Sequence, residues 1–209
     1  MPFPRLRSLS SLTACLSAVI LQLPHLHAAD DPAPALVATI NGVIDLALGK
    51  SPEVIQEQLP AIRSRMSESF AIDVIVQRTF GANWKKLTPP QQTEAVDLLG
   101  RLIIRTYATQ LSTGVRPVIT ATASREIDAE RREVVSTAVR QGDTVNVIYR
   151  LGRFDGKWKV YDVAAEGVSV VGNYRQQFDA HFQKGSAADL LKLLKDKLAV
   201  IPAVKKEGP

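Results

Sequence analysis

The chain of 209 residues is poorest in the residue types on which most enzymes and metal sites depend. It has one cysteine, Cys15, and three histidines, His25, His27 and His181. All but His181 fall within the first 29 residues, which read as a removable export segment. Without that segment there can be no disulfide, no thiol nucleophile, no zinc–thiolate site and no histidine-rich metal site. His181 is left as a lone base at most. G-x-S-x-G, H-E-x-x-H and a glycine-rich phosphate loop following a strand are all missing, so the sequence calls for no cofactor and no catalytic residue. Charge of one sign is also scarce. The formal charge is +5, and removing Arg5 and Arg7 leaves 24 basic residues against 21 acidic ones, near +3. The basic residues are dispersed apart from Lys85-Lys86 and Lys205-Lys206, which argues against a nucleic-acid partner. Those two pairs read as solvated surface, with contact to anionic lipid as the alternative.

The first 29 residues have the order of a Sec signal peptide. Arg5 and Arg7 are the basic start, the apolar stretch runs from Leu12 to Leu23, and the small residues Ala28 and Ala29 precede Asp30 and Asp31. The stretch is short and is interrupted by Gln22 and Pro24, which excludes a stable membrane span. Leu12-Thr13-Ala14-Cys15 fits the pattern around a lipoprotein cysteine, but most of the apolar residues follow Cys15 where a lipoprotein signal would place them before it. The expectation is therefore cleavage near Ala29, a periplasmic protein, one domain over 30–200 and a mobile tail over 201–209.

Beyond the export segment the hydrophobic period changes twice. Val37, Ile40, Ile44 and Leu48 predict a helix from Pro34 to Lys50. A second helix starts near Pro52 and is expected to bend or break at Pro60. Phe70 to Phe80 reads as a short buried helix ending at Gly81. Thr88-Pro89-Pro90-Gln91 is a capping box with proline in the first turn. Behind it, Val96, Leu99, Ile103, Tyr107 and Leu111 form one stripe, widened by Leu98 and Leu102. The period then switches to two, which predicts strands over 117–123, 133–140, 144–151 and 158–164, with turns at Gln141-Gly142-Asp143 and Phe154-Asp155-Gly156. In the third strand Val145, Val147, Tyr149 and Leu151 share a face. In the fourth, Trp158, Val160 and Asp162 alternate against Lys159, Tyr161 and Val163, and Gly167 ends it. Helical period returns over 168–184, and Ser186-Ala187-Ala188-Asp189 opens a last helix. The class is α+β: a twisted four-stranded antiparallel meander packed between N- and C-terminal helices.

Two features leave alternatives open. Asp162 lies in an otherwise apolar strand, so it is either held by structural hydrogen bonds or functional. The stripe through Tyr107 is either ordinary core or one wall of a cavity. Aromatic content is only 6%, and the dominance of Val, Ile, Leu and Ala is compatible with an apolar cavity between sheet and helices without requiring one.

The run from Lys157 to Phe178, with Trp158-Lys159-Val160-Tyr161-Asp162-Val163, Glu166-Gly167-Val168-Ser169 and Asn173-Tyr174-Arg175, resembles the signature of the MlaC, or toluene-tolerance, family. Trp84 to Gln92 is similar to that family's segment before its long helix, and Arg105-Thr106-Tyr107-Ala108 to the helix itself. The resemblance extends over roughly residues 35 to 198. It implies a periplasmic lipid carrier, needing no covalent chemistry, that works with an inner-membrane ABC-type transporter and an outer-membrane partner. By position it implies Tyr107, Val145 and Val168 as pocket-lining residues. Val147, Tyr149 and Ile103 join them from the faces they share. The ligand implied is a phospholipid, with a hopanoid as the alternative, because Gln77 to Trp84 resembles the hopanoid-associated HpnM branch. An enzyme of another class, a cone-fold isomerase using Asp162 and Tyr107, remains the competing reading. A carrier needs one lipid per protein, so a monomer is expected.

Overall fold

The computed structural model describes residues 30–200; the export segment expected over 1–29 and the mobile tail expected over 201–209 lie outside the described residues. Among the described residues, six α-helices and one antiparallel five-stranded sheet follow each other. Helix α1 spans Ala33–Ala47, α2 Pro52–Met66, α3 Ile72–Phe80 and α4 Pro89–Ser112. Strands β1 (Val118–Asp128), β2 (Arg131–Arg140), β3 (Asp143–Phe154), β4 (Lys157–Ala165) and β5 (Val168–Ser169) come next, then α5 (Val170–His181) and α6 (Ala187–Ala199). The sheet order is β1-β2-β3-β4-β5, a meander with every neighbour antiparallel.

Local chemistry accounts for most of these boundaries. Thr88 begins α4 with the expected capping box, and its backbone N–H donates to Gln91 Oε1 at 3.0 Å. Ser186 does the same for α6 with Asp189, whose carboxylate is held low by the Ser186 side chain and backbone. Three successive hairpins use two-residue loops with both residues left-handed: Gln141-Gly142, Asp155-Gly156 and Glu166-Gly167. That is the type I′ geometry whose twist matches paired strands, and glycine at the second position meets it at no steric cost.

Four expectations are corrected. Pro60 does not break α2, which runs continuously from Pro52 to Met66. Pro60 is on the solvent side, while Ile55, Leu59 and Ile62 anchor the helix in the core on either side of it. The buried stripe of α1 is centred on Leu36, Val43, Ile44 and Ala47, with Ile40 and Val37 only partly covered. The sheet has five strands, because Val168–Ser169 pair with Ala165 and Ala164 before the helix starts. Finally, β4 does not alternate without a break. Val160 stands opposite Leu151, but Asp162 stands opposite Arg150, so Tyr161 is one extra residue and Asp162 shares Arg150's side of the sheet.

The core joins the helices to the sheet's inner face. Phe80 is fully buried among Trp84, Phe178 and Phe182, its ring 4.8 Å from that of Phe178. Val134, Leu151 and Val160 are buried in the central strands. Helix α4 packs on α6, α2, α3 and α1, whereas the helices that lean on the sheet do so at its outer strands, α1 against β1 and α3 with α5 against β4. Arg140 of β2 links the sheet to the C-terminal end of α4 through the carbonyls of Gln110 and Thr113.

Candidate functional site

Cross-strand pairing places most of the sequence-predicted residues on one surface. Partners in an antiparallel ladder project to the same side. Val145 pairs with Ala138, Val147 with Ser136 and Ala165, Tyr149 with Val134 and Val163, and Val168 with Ala165. Val145, Val147, Tyr149 and Val168 thus share the sheet face that carries the buried Val134. Exposure falls steadily along β3: Val145 is 39% exposed, Val147 half-buried, Tyr149 8% and Leu151 0%. An apolar face open at one end and closed at the other has the form of a cleft wall. Val168 belongs to the open end, at 61% exposed. The helix expected over 168–184 starts only at Val170, so Val168 sits in strand β5 rather than in a helix.

Two of the sequence-predicted residues belong to helix α4. Ile103 is buried and Tyr107, one turn later, is 40% exposed. The C-terminal end of α4 is fixed to the sheet by Arg140 of β2, whose guanidinium donates to the carbonyls of Thr113 at 3.1 Å and Gln110 at 3.3 Å. The phenol of Tyr107 titrates above the ordinary tyrosine value, first because it is desolvated and then because the Asp162 carboxylate is near. Tyr174 of α5 is raised likewise, by burial and by proximity to Tyr107. Burial pushes the Tyr149 phenol up to about 12, with a smaller opposite effect from Ser136.

Asp162 is held structurally. Arg150 Nη1 donates to its Oδ2 at 2.8 Å, Ser169 Oγ lies 2.9 Å from Oδ1 and 2.8 Å from Oδ2, and the Val171 N–H donates to Oδ1 at 3.2 Å. Both oxygens are engaged and the residue is 6% exposed. Ser169 in turn caps α5 by accepting from the Gly172 N–H at 2.9 Å. This node sets the angle at which the chain leaves β5 and so positions Val168 and Tyr174.

Tyr174 is the residue that sequence reasoning passed over as a site residue. It stands four positions before the buried Phe178, and its ring lies 5.9 Å from that of Phe178, so it faces inward from α5. The signal was present in the spacing Val171, Tyr174, Phe178.

A separate depression of about 500 Å³ is lined by Leu102, Arg105, Asp196, Lys197 and Val200. At 100° per residue, Leu102 and Arg105 project from the side of α4 roughly opposite to Ile103 and Tyr107. It is a broad, open hollow at the end of α6 and encloses about half the volume on the order of 1000 Å³ that a two-chain lipid requires. We take the graded face of β3 as the site. Among the described residues no cluster of His, Asp or Glu could hold a metal ion, and no helix is long and apolar enough to cross a membrane.

A family model described as MlaC protein matches residues 43–196, well over half of the chain. The chain belongs to the MlaC family. No curated protein matches it. The fold is similar to that of a solved phospholipid-binding protein from Ralstonia solanacearum, determined in complex with a phospholipid. The two are 24% identical with a TM-score of 0.71, over 81% of this chain and 97% of that one. This likeness establishes for the MlaC-family chain the same arrangement of helices and sheet.

Proposed function

We propose that this MlaC-family protein is a periplasmic carrier that takes up one phospholipid between α4 and the inner face of β3 and passes it between membranes as a monomer, in concert with an ABC-type transporter of the inner membrane and a lipid-handling partner at the outer membrane. The observation that carries the reading is the graded apolar face: Val145 and Val168 are exposed at its open end while Leu151 is fully buried at the other. Apolar side chains left exposed together on one face mark a surface that an apolar ligand can cover. The solved relative of the same fold was determined with a phospholipid, which supports acyl chains as the cover.

The energetics suit a carrier. Each methylene moved into water costs about 0.8 kcal/mol, so a lipid with some thirty methylenes leaves a bilayer very slowly unless an apolar site receives it. Tyr107, Val145 and Val168 are assigned to the mouth of that site, Val147 to its middle, and Tyr149 and Ile103 to its depth. The isomerase reading loses its base. A catalytic carboxylate must be free to accept a proton, and Asp162 is occupied by Arg150, Ser169 and the Val171 N–H.

Extraction of the purified protein followed by lipid mass spectrometry tests the reading. Phospholipid at near one-to-one is the expected result. A hopanoid in its place would move the assignment to a polycyclic ligand, and an empty protein that turns over a ketosteroid would overturn it.

A further inference from the structure

Six buried side-chain nitrogen and oxygen atoms have no hydrogen-bond partner among the described residues, and two of them stand on neighbouring strands: Ser124 Oγ of β1 and Arg132 Nε of β2. Ser124 pairs with Val134 and Glu126 with Arg132, in successive rows on one side of the sheet. Ser124 and Arg132 are therefore diagonal neighbours, about 7–8 Å apart at the backbone and within reach of a long side chain. The Nε–H does not donate to the serine hydroxyl, and both atoms are left orphaned. Arg132 is 7% exposed, so solvent does not make up the loss. Buried polar groups are nearly always bonded, and two orphans side by side call for an acceptor that reaches both. Arg153 borders the same place. Arg132 pairs with Leu151, and Arg153 follows Leu151 on that side of β3, opposite Trp158. The Arg153 and Arg132 guanidinium carbons lie 4.5 Å and 5.6 Å from the centre of the Trp158 ring, whose face holds both cations in position. Glu126 accepts from Arg132 Nη2 at 3.1 Å, which leaves one positive charge in excess over these three ionic groups.

We propose that Ser124, Arg132 and Arg153 form a binding site for a phosphate group on the inner face of the sheet, at the end where the β1–β2 and β3–β4 hairpins turn. Donors from three adjacent strands suit a group with three acceptor oxygens, whereas a planar carboxylate is satisfied by the fork of one guanidinium. The site is remote from the open end of the apolar face. Arg153 and Val145 stand at the two ends of β3, and at about 3.3 Å per residue the separation is about 26 Å. Leu151, fully buried, lies between them on the same side. The phosphate is either inorganic or part of a lipid headgroup, and the three donors serve both alike. In the second case, which rests on the carrier reading above, the chains attached to that phosphate run from Leu151 along Tyr149 and Val147.

The test titrates the full mature protein, stripped of lipid in detergent, with sodium phosphate at constant ionic strength and reads binding by phosphorus NMR. Ser124→Ala removes an orphaned hydroxyl, so it is expected to melt no lower than the wild type. Its affinity for phosphate is expected to fall roughly fivefold, the equivalent of one net hydrogen bond. Arg132→Lys keeps the charge without the Nε–H and is expected to lose roughly tenfold; if it does not fold, Ser124→Ala decides alone. Loading the protein with dioleoyl phosphatidylglycerol, or with dioleoylglycerol, which has the same chains and no phosphate, separates the two sources. Displacement of inorganic phosphate by the phospholipid alone assigns the site to the lipid's own phosphate. Equal binding of inorganic phosphate to both loaded forms assigns it to free phosphate. A wild type that binds inorganic phosphate no more tightly than Ser124→Ala, and holds the phospholipid no longer than that variant does, overturns the proposal. A wild type that binds inorganic phosphate but takes up no lipid keeps the phosphate site and removes the carrier reading instead.

Discussion

Ser169 Oγ lies 2.8 Å from Asp162 Oδ2 across the β4–β5 hairpin, and the same oxygen accepts the Gly172 N–H that opens α5. One hydroxyl therefore joins a buried carboxylate to a helix N-terminus. Arg150 Nη1 completes the node at 2.8 Å and is itself paired with Glu133 on the neighbouring strand. The direction of the chain through Val168 and into Tyr174 depends on these contacts.

Asp162→Ala should accordingly destabilise the fold by about 2–3 kcal/mol in urea denaturation. It strands the Val171 N–H and the Ser169 hydroxyl, but Arg150 retains solvent access and Glu133, so the penalty stays below that of isolating a fully buried charge. Asp162→Asn should recover part of the loss, since an amide oxygen still accepts from Val171. A variant as stable as the wild type would contradict the structural role assigned to Asp162.

Arg105 is predicted to be needed for α6 rather than for the ligand. It is 3% exposed and donates to Leu198 O at 2.8 Å, Lys197 O at 2.7 Å and Gln56 Oε1 at 3.2 Å. Arg105→Ala leaves two carbonyls in the last turn of α6 without that donor and should cost about 2–4 kcal/mol. Amide exchange should accelerate first at the end of α6. Arg105→Lys should rescue poorly, because one ammonium cannot reproduce the fork that spans both carbonyls.

Alkaline pH should weaken the fold through Tyr149. Its phenol is raised to about 12 in the folded state, against about 10 when unfolded. The unfolded state then loses its proton first as pH rises. The contribution is fully present below about pH 10 and declines by about 1.4 kcal/mol per pH unit up to about 12. Tyr149→Phe should flatten this window in denaturation curves measured across it; an equally steep decline would assign the effect elsewhere.

How much of this was legible in the sequence depends on whether a feature is local. The capping box at Thr88, the helix start at Ser186 and the turns at Gln141-Gly142 and Asp155-Gly156 are short-range chemistry, and each stands where the sequence placed it. Glu166-Gly167 belongs with those turns and has the same backbone geometry, but it was read as the end of a strand. Strand β5 behind it has two residues, too few to show a period. Pro60 misled because its cost depends on the flanking contacts of Ile55, Leu59 and Ile62, which only the folded helix supplies. Asp162 could not be settled from its strand, since its partners Arg150 and Val171 are 12 and 9 positions away and a single extra residue, Tyr161, decides which side it faces. For the candidate site, the shared face of β3 followed from period two. That Val145 is exposed and Leu151 buried on that face depends on tertiary packing, which the period does not carry.

Lipid occupancy, read by native mass spectrometry on the wild type beside Val145→Asp and Val168→Glu, is the most direct measurement of the carrier assignment. At 39% and 61% exposed, both positions can solvate a carboxylate, so melting should match the wild type to within about 1 kcal/mol of stability, the span of strand preferences. A charge at the mouth opposes acyl chains by desolvation amounting to a few kcal/mol. The account predicts about one phospholipid per wild-type molecule and folded, empty variants. A wild type that carries no lipid, or variants that fold and remain fully occupied, would contradict it.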